Sequence, residues 1–281
     1  MKRTLIQSIG IIALYLTGCN QEHETVSGRL YIIGGGSRPV TMLNELADLS
    51  GIRSAGYMYV LPMASSEPDS AILRAKEDFK PTGIKSISGY NFRSGVVPPQ
   101  AQLDSLKNAG LIYISGGDQS RFMAVVLNTP VMEAVLQAYQ NGSVIAGTSA
   151  GAAVMSKKMI TGNQKMHLSP DAGFTTIEAD NIEITQGLGL LKDVILDQHF
   201  IKRQRLNRLV AAAVENPEQL CVGIDESTAI IVEGDIATVS GNGQVIVIKN
   251  MGKGSIVRNG LLGSGGLQLC VYLPGQKFNL R

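Results

Sequence analysis

Short apolar runs alternate with amphipathic segments along the first half of this 281-residue chain. The runs Arg29–Ile33, Tyr57–Pro62 and Leu111–Ile114 are short and rich in β-branched or aromatic residues, which predicts buried strands. Apolar positions at helical spacing predict helices at Val40–Leu49, Ser70–Phe79, Gln100–Asn108, Gln119–Leu127 and Val131–Tyr139. Because strands that alternate with helices form parallel sheets, we expect a three-layer α/β fold, a mostly parallel sheet with helices on both faces.

The pattern changes after Thr228. Ala229–Val232, Ile236–Ser240 and Gln244–Lys249 have the length of short antiparallel strands, and Gly241–Gly243 predicts a turn between two of them. We therefore expect residues 28–281 to form a single α/β domain that ends in an antiparallel C-terminal extension.

A candidate catalytic serine lies in a glycine-rich turn that follows an apolar run. Val144–Ala146 is followed by Gly147-Thr148-Ser149-Ala150-Gly151, the G-x-S-x-G pattern of a nucleophile elbow. A sharp turn from strand to helix leaves no room for side chains beside the serine, which explains the flanking glycines. Ser149 is the candidate nucleophile. The N–H groups of Ala150, and of Gly117 in a Gly-Gly turn after a strand, are candidate oxyanion donors.

A serine nucleophile needs a base, and the chain has three histidines. His199 follows the apolar run Val194–Leu196, whereas His23 and His167 lie in polar stretches. Since open α/β sheets place their chemistry at the carboxyl ends of strands, His199 is the candidate base.

The third group of a triad would be a carboxylate that orients the histidine. Asp225 and Glu226 directly follow the strand-like run Leu220–Ile224, and spacing alone does not choose between them. Ordinary esterases place the acid before the histidine, and the acids available there are Asp171, Asp180 and Glu183. A protein that binds peptides without cleaving them is a further alternative.

Four segments together resemble cyanophycinases, which are peptidase E-like serine peptidases. These segments are Gly116–Gln119, Gly147–Ala152, Asp197–Phe200 with the arginines after it, and Gly223–Ala229. The resemblance implies a fold like that of class I glutamine amidotransferases and a homodimer. It also implies that the enzyme cleaves β-aspartyl peptide bonds in cyanophycin or in β-Asp-Arg-type peptides, or that it is a related isoaspartyl dipeptidase.

The resemblance also assigns roles to individual residues. It implies a Ser149–His199–Glu226 triad that works through an acyl-enzyme. It implies a substrate pocket shaped by Gln119, Asp197, Gln198, Arg203, Arg205 and Arg208. The loop Gly34-Gly35-Gly36-Ser37-Arg38 after the first strand is an expected edge of that pocket, although it has no residue-by-residue match in the family.

The arginines have a physical reason for such a role. Arginine presents a planar fork to a carboxylate, and a β-linked aspartyl residue keeps a free α-carboxylate beside the scissile bond. If this segment is helical, Arg205 and Arg208 share a face and Arg203 points elsewhere. A solvated basic surface is the competing interpretation.

The N-terminal segment predicts export. The apolar run Leu5–Leu16 follows two basic residues and is too short to span a membrane, as is typical of a signal peptide. It ends in Leu16–Cys19, which resembles the cleavage box of bacterial lipoproteins. We expect a signal peptide at residues 1–18, lipidation of Cys19 and a tether over residues 19–27. The expected location is the bacterial cell envelope, with the lipid anchor as the only membrane contact; a secretory signal with a chance cysteine is the alternative.

Composition excludes several other classes of function. The net charge of +2 argues against nucleic acid as a partner. Gly34–Gly36 matches neither phosphate-loop pattern, and the sequence contains no histidine–cysteine cluster, so we expect neither cofactor nor metal. Cys221 and Cys270 lie in apolar runs, where a disulfide and two buried thiols are both compatible with the sequence.

Overall fold

The computed structural model describes residues 28–168 and 173–281. The expected signal peptide, Cys19 and the tether lie outside the described residues. The strands of this part of the chain are β1 Arg29–Ile33, β2 Met58–Leu61, β3 Ile87–Gly89, β4 Leu111–Ile114, β5 Val144–Thr148, β6 Lys158–Gln164, β7 Ile182–Gln186, β8 Val194–Gln198, β9 Leu220–Ile224, β10 Thr228–Glu233, β11 Ile236–Gly241, β12 Val245–Asn250, β13 Ile256–Arg258, β14 Leu261–Gly263, β15 Leu267–Tyr272 and β16 Lys277–Asn279. The helices are α1 Val40–Ser50, α2 Pro68–Phe79, α3 Gln100–Lys107, α4 Gln119–Val126, α5 Pro130–Gln140, α6 Ala150–Ala153 and α7 Leu206–Glu215, with a 3-10 turn at Lys80–Thr82.

The central sheet has the strand order β16-β11-β10-β1-β5-β4-β2-β3. The five strands from β1 to β3 in this order are parallel, and β10, β11 and β16 are antiparallel. This is the mixed α/β sheet that the sequence predicts, with its antiparallel extension at one edge. Ile33 pairs with Thr148, so the loops that follow β1 and β5 begin at the same edge of the sheet.

Helices cover both faces of the central sheet, which confirms the three layers. On one face Ile32 and Ile145 share a core with Phe122 of α4 and Val135 of α5. On the opposite face Tyr31 and neighbouring strand residues pack against α1 and α2. Successive side chains of a strand point to opposite faces of the sheet. Because helices cover both faces, side chains on either face are buried, which explains why the runs are apolar throughout.

A second sheet, in the order β15-β12-β9-β8, corrects the expected turn between paired strands at Gly241–Gly243. The strand β8 precedes His199, and β9 precedes Asp225. These two strands pair with each other, and β9 also pairs with β12; neither pairs with the central parallel strands. The turn Gly241–Gly243 therefore carries the chain from one sheet to the other and closes no hairpin. Both faces of β8 and β9 are buried: Leu196 and Val222 join the main core, and Ile195 and Cys221 on the opposite face pack against α7.

The two sheets meet at their carboxyl edges. β8 and β9 run parallel with Gln198 opposite Ile224, so the residues after each strand lie side by side. The N–H of His199 donates to the carbonyl of Gly34, just past β1, at 2.7 Å. This contact brings the loops after β1, β5, β8 and β9 to one place.

No single helix of residues 28–168 and 173–281 is long and apolar enough to cross a membrane. The helices α4 and α5 reach the required length and composition only together, and they are bent by 98° with respect to each other.

Candidate active site

Ser149 lies at the turn between β5 and α6 with a strained backbone, φ 56° and ψ −111°. Positive φ is uncommon outside glycine and is retained where the surroundings enforce it. A Cβ atom on Gly147 would lie 2.3 Å from the carbonyl oxygen of Gly151, and one on Gly151 would lie 2.3 Å from that of Ile114. The two glycines of the motif thus allow the tight packing that holds Ser149 in this conformation.

His199 connects the serine to a carboxylate. Its Nε2 lies 2.9 Å from Ser149 Oγ, and its Nδ1 lies 2.6 Å from Glu226 Oε1. Of the two acids left open by spacing, Glu226 contacts the histidine, while Asp225 accepts a hydrogen bond from the N–H of Lys202 at 2.9 Å. The three side chains form the hydrogen-bonded order serine, histidine, acid.

The surroundings of His199 favour its neutral form. Burial lowers the pKa of its imidazole below the ordinary 6.5, the hydrogen bond to Glu226 opposes this, and the nearby charge of Arg203 adds to it. The hydrogen bond from His199 in turn lowers the pKa of Glu226. A neutral imidazole with its Nδ1–H held by a carboxylate presents a free electron pair on Nε2 to the serine hydroxyl, as a general base requires.

The glycine run after β1 packs directly against this triad. A Cβ atom on Gly35 would lie 2.3 Å from His199 Cε1, and one on Gly36 would lie 2.7 Å from Glu226 Cβ. The sequence predicted the edge of a substrate pocket at this loop, although the loop could not be matched to the family residue by residue. In the structure Gly35 and Gly36 pack closely against His199 and Glu226 and line the cavity.

The glycine pair Gly116–Gly117 follows β4, and its first member lies beside the nucleophile at the cavity. A Cβ atom on Gly116 would lie 3.4 Å from Ser149 Cβ, whereas one on Gly117 would collide with the carbonyl oxygen of Ala64 at 2.1 Å. The N–H groups of Gly117 and Ala150 donate to no backbone carbonyl within the described ranges. Gly116, to which the sequence assigned no individual role, lines the cavity together with Ser149, and the role of Gly117 as oxyanion donor stays a prediction.

Asp197, at the end of β8, is the centre of a buried charged network. Its side chain has no solvent exposure and accepts two hydrogen bonds from Arg208, with Arg208 Nε 2.8 Å from Oδ2. Arg205 lies 3.5 Å from the same carboxylate and donates to the carbonyl of Gln198 at 2.6 Å. Arg205 and Arg208 therefore face the same way, as predicted for helical spacing, although α7 begins only after Arg205.

The other expected pocket residues differ in exposure. Gln119 is buried, and its amide donates to the carbonyls of Ile160 at 3.0 Å and of Thr161. Arg203 is exposed and forms no ion pair with any described residue. Because Asp197 and Arg208 satisfy each other in the interior, the structure leaves Arg203 and Arg205 as the arginines with solvent access.

A cavity of about 280 Å³ opens beside Ser149 and His199. Its wall includes Gly35, Gly36 and Gly116, and charged side chains from the loop after β1 and from α2. The reactive oxygen thus faces a space that accommodates part of a peptide.

This geometry can be compared with known proteins. The chain matches peptidase family S51 over residues 30–240, a range that includes Ser149, His199 and Glu226. The chain belongs to peptidase family S51. As a member of this family it is a serine-type peptidase.

The relatives of this S51 peptidase include two proteins that are named cyanophycinase. It is 34% identical over 222 residues to the cyanophycinase of Nostoc sp. (strain PCC 7120 / SAG 25.82 / UTEX 2576), covering 77% of this chain and 72% of the relative. It is 31% identical over 228 residues to the cyanophycinase of Geminocystis herdmanii (strain PCC 6308), covering 78% and 81%.

Solved structures support the fold. A peptidase from an acI-B1 Actinobacterium superposes with a TM-score of 0.65 at 22% identity, covering 91% of this chain and 98% of that one. A putative peptidase E protein from Listeria monocytogenes EGD-e superposes with a TM-score of 0.53 at 16% identity, covering 77% and 100%. The likeness to class I glutamine amidotransferases stays a prediction.

The acid in contact with His199 in this S51 peptidase is Glu226 and not one of the acids of the esterase alternative. Glu183 accepts a hydrogen bond from Asn163 at 2.9 Å, and the N–H of Asp180 donates to Glu215. Asp171 lies outside the described residues. His167 contacts Glu178 at 2.7 Å at the surface, away from the serine.

In the part of the chain that the structure describes, no group of three or more histidine, cysteine, aspartate or glutamate side chains is placed to hold a metal ion. Cys221 and Cys270 are both free thiols, the first buried and the second partly exposed.

Proposed function

We propose that this S51 peptidase cleaves aspartyl peptide bonds through a Ser149–His199–Glu226 triad. The observation that carries the proposal is the continuous hydrogen-bonded order, 2.9 Å from serine to histidine and 2.6 Å from histidine to glutamate. His199 Nε2 takes the proton of Ser149 Oγ as the oxygen attacks the substrate carbonyl, and Glu226 stabilises the imidazolium. His199 then gives this proton to the leaving amine, and water releases the acyl group from the serine.

The oxyanion of the tetrahedral intermediate needs hydrogen-bond donors. We assign this role to the N–H groups of Ala150, at the start of α6, and of Gly117, in the glycine pair beside the serine. Loss of one such donor costs roughly 10²- to 10³-fold in rate. Gly116 lines the same cavity as Ser149, which supports a position of the glycine pair close to the reacting carbonyl.

The proposed substrate is cyanophycin or a related β-Asp-Arg-type peptide, cleaved at β-aspartyl linkages. The support is that the relatives above carry the name cyanophycinase and that basic side chains follow His199. Arg203 and Arg205 would bind the free α-carboxylate of the substrate. Gln119 and Gln198 would shape the pocket, and the Asp197–Arg208 pair would hold Arg205 and Gln198 in place.

The proposal extends to location and assembly. Residues 28–281 would act as one catalytic domain, exported by the signal peptide and attached to the cell envelope through a lipid on Cys19. A homodimer is expected from the resemblance to the family.

A hydrolysis panel tests this function. The substrates are cyanophycin, β-Asp-Arg, β-Asp-Lys, isoaspartyl dipeptides, α-linked Asp-Arg and simple esters, each with the wild-type chain and with Ser149→Ala. We expect release of arginine- and aspartate-containing products by the wild type alone, and unchanged folding of the variant. Intact substrate after long incubation with wild type would favour a binding protein, and faster cleavage of α-linked Asp-Arg would reject the β-aspartyl assignment.

A second pair of variants separates the proposed order of residues from that of an esterase. Glu226→Gln removes the acid on His199, and Glu183→Gln removes an acid that is bonded to Thr161 and Asn163. We expect a large loss of activity only in Glu226→Gln.

A further inference from the structure

Charged and polar side chains outside the proposed triad also line the cavity. The cavity that contains Ser149 and His199 is lined as well by Arg38, Arg74, Asp78 and Tyr113. Gln119 and the members of the Asp197 network, as far as the structure describes them, do not line it. This group therefore forms a separate region of the cleft, built from the loop after β1, from α2 and from the end of β4.

Two polar atoms in this region are buried without a hydrogen-bond partner in the described structure: Arg38 Nε and Thr148 Oγ1. Arg38 uses one terminal nitrogen for Asp78, 2.5 Å from Oδ2, and leaves its Nε–H unused. Buried polar groups in native proteins nearly always have partners, and an unpaired one is costly. Arg38 and Thr148 both line the cavity, so the two unpaired groups belong to side chains of its wall.

The charge of the region favours an anion. Two guanidinium groups, those of Arg38 and Arg74, line the cavity with one carboxylate, that of Asp78, which pairs with Arg38. The nearest acid to Arg74 is Glu67 at 3.8 Å, and both of those side chains are largely exposed, so Arg74 is only weakly compensated. Burial raises the pKa of Tyr113 to about 12, so its hydroxyl remains a neutral donor beside Arg38.

We propose that this region is a carboxylate subsite that binds an acidic group on the substrate residue next to the scissile bond. Arg38 Nε and Arg74 would supply charged donors, and the hydroxyls of Tyr113 and Thr148 would complete the cradle. This inference rests on the proposed function and deepens it. With Arg203 and Arg205 after His199, the cleft would hold carboxylates in two separate regions, which suits a peptide with successive aspartyl residues.

The test compares two peptides that differ only in one flanking group, a carboxylate in an aspartyl residue and an amide in an asparaginyl residue. Arg38→Gln is expected to lower kcat/KM for the carboxylate peptide by roughly 10- to 100-fold and to change the amide peptide little. Arg38→Lys should recover part of the loss. Arg258→Gln, on the exposed strand β13, is the control and should leave both peptides unchanged.

The variant Asp78→Asn distinguishes substrate binding by Arg38 from a purely structural role of the Arg38–Asp78 ion pair. If Arg38 only anchors α2 through Asp78, Arg38→Gln and Asp78→Asn will lower the melting temperature together and slow both peptides equally, which overturns the subsite. If the region binds a substrate guanidinium, Asp78→Asn will selectively slow arginine-containing peptides, which also overturns it. A carboxylate subsite requires that Asp78→Asn keep or improve kcat/KM for the carboxylate peptide, since a competing acid is removed.

A binding measurement keeps this inference separable from the proposed function. Calorimetry on Ser149→Ala with N-acetyl-L-aspartate and N-acetyl-L-asparagine is expected to detect selective binding of the first, lost when Arg38→Gln is added. If the wild type cleaves no peptide of the panel but this selectivity holds, the function fails and the subsite stands. If the wild type cleaves the peptides and neither kinetics nor calorimetry distinguishes carboxylate from amide, the subsite alone fails.

Discussion

Gly35 and His199 fit together so closely that a Cβ atom on Gly35 would lie 2.3 Å from His199 Cε1. The backbone at Gly35 also has φ +113°, which residues with a side chain rarely adopt. The position of the proposed base thus depends on a glycine that belongs to no catalytic motif.

Gly35→Ala is expected to abolish most activity. The new methyl group must push the imidazole away from Ser149 or from Glu226, and a displacement of about 1 Å can cost 10²-fold in rate. The measurement is kcat with the best peptide of the panel. Gly83→Ala is the matched control, because Gly83 also has a positive φ, +78°, but its Cβ would meet no atom within 4 Å. Equal activity of both variants would show that the contact is unimportant for catalysis.

The sequence pointed to the residues of the proposed triad because each lies after a short apolar run. Ser149 stands in a recognisable turn motif, and His199 directly follows the run at β8. The choice of Glu226 over Asp225 came from family resemblance, since neighbouring residues after a strand have the same spacing. Only the backbone path decides it: Ser227 has φ 54°, and the chain turns so that Glu226 faces the histidine.

Other features were beyond sequence reasoning because they depend on pairing across long distances. The strands β6 and β7 contain polar residues such as Asn163 and Gln186 and lack a continuous apolar run. The separation of β8 and β9 into a second sheet is not encoded in their local pattern, since a strand buried on both faces is apolar in either sheet. The same holds for the cavity with Arg38 and Asp78, which lie 40 positions apart in the chain.

The arginines after His199 are expected to divide into structural and substrate-binding residues. Arg208→Met leaves the fully buried Asp197 without its main partner and should lower the free energy of unfolding by about 3–5 kcal/mol. Arg203→Lys should leave stability unchanged, because this side chain is exposed. It should lower kcat/KM roughly 10- to 100-fold for a substrate with a free α-carboxylate, since lysine lacks the planar fork.

Urea unfolding and kinetics on matched substrates with and without the α-carboxylate check both halves of this expectation. Arg258→Lys is the control, because Arg258 is exposed and forms no ion pair with any described residue. If Arg203→Lys behaves like the control with both substrates, the segment around Arg203 is a solvated basic surface.

Cys19→Ser is expected to release the protein from membranes or to leave it unprocessed, with catalysis by residues 28–281 unaffected. The reason is the lipoprotein-like box at Leu16–Cys19, which supplies the thiol that would carry the lipid. Mass spectrometry of the mature N-terminus measures it directly. A mature chain that begins at another residue and carries an unmodified Cys19 would exclude lipidation.

The pH dependence of activity should follow His199. Catalysis requires its neutral form, and burial lowers its pKa from 6.5, so the acid limb of kcat/KM should lie below pH 6.5. The hydrogen bond to Glu226 raises this pKa, so Glu226→Gln should move the limb to still lower pH while it reduces the maximal rate. An acid limb above pH 6.5 would mean that the carboxylate outweighs burial.

The same shift predicts how stability changes with pH. Below pH 6.5 the unfolded chain binds a proton at this histidine before the folded chain does, so protonation favours unfolding. The free energy of unfolding should therefore fall as pH decreases from 6.5 to the folded pKa. Glu226, with its pKa lowered from 4.5, adds a loss of the same sign only at more acidic pH, near and below 4.5. Urea unfolding at closely spaced pH values should show the first loss in wild type and not in His199→Gln, and a loss of equal size in both would assign it to other groups.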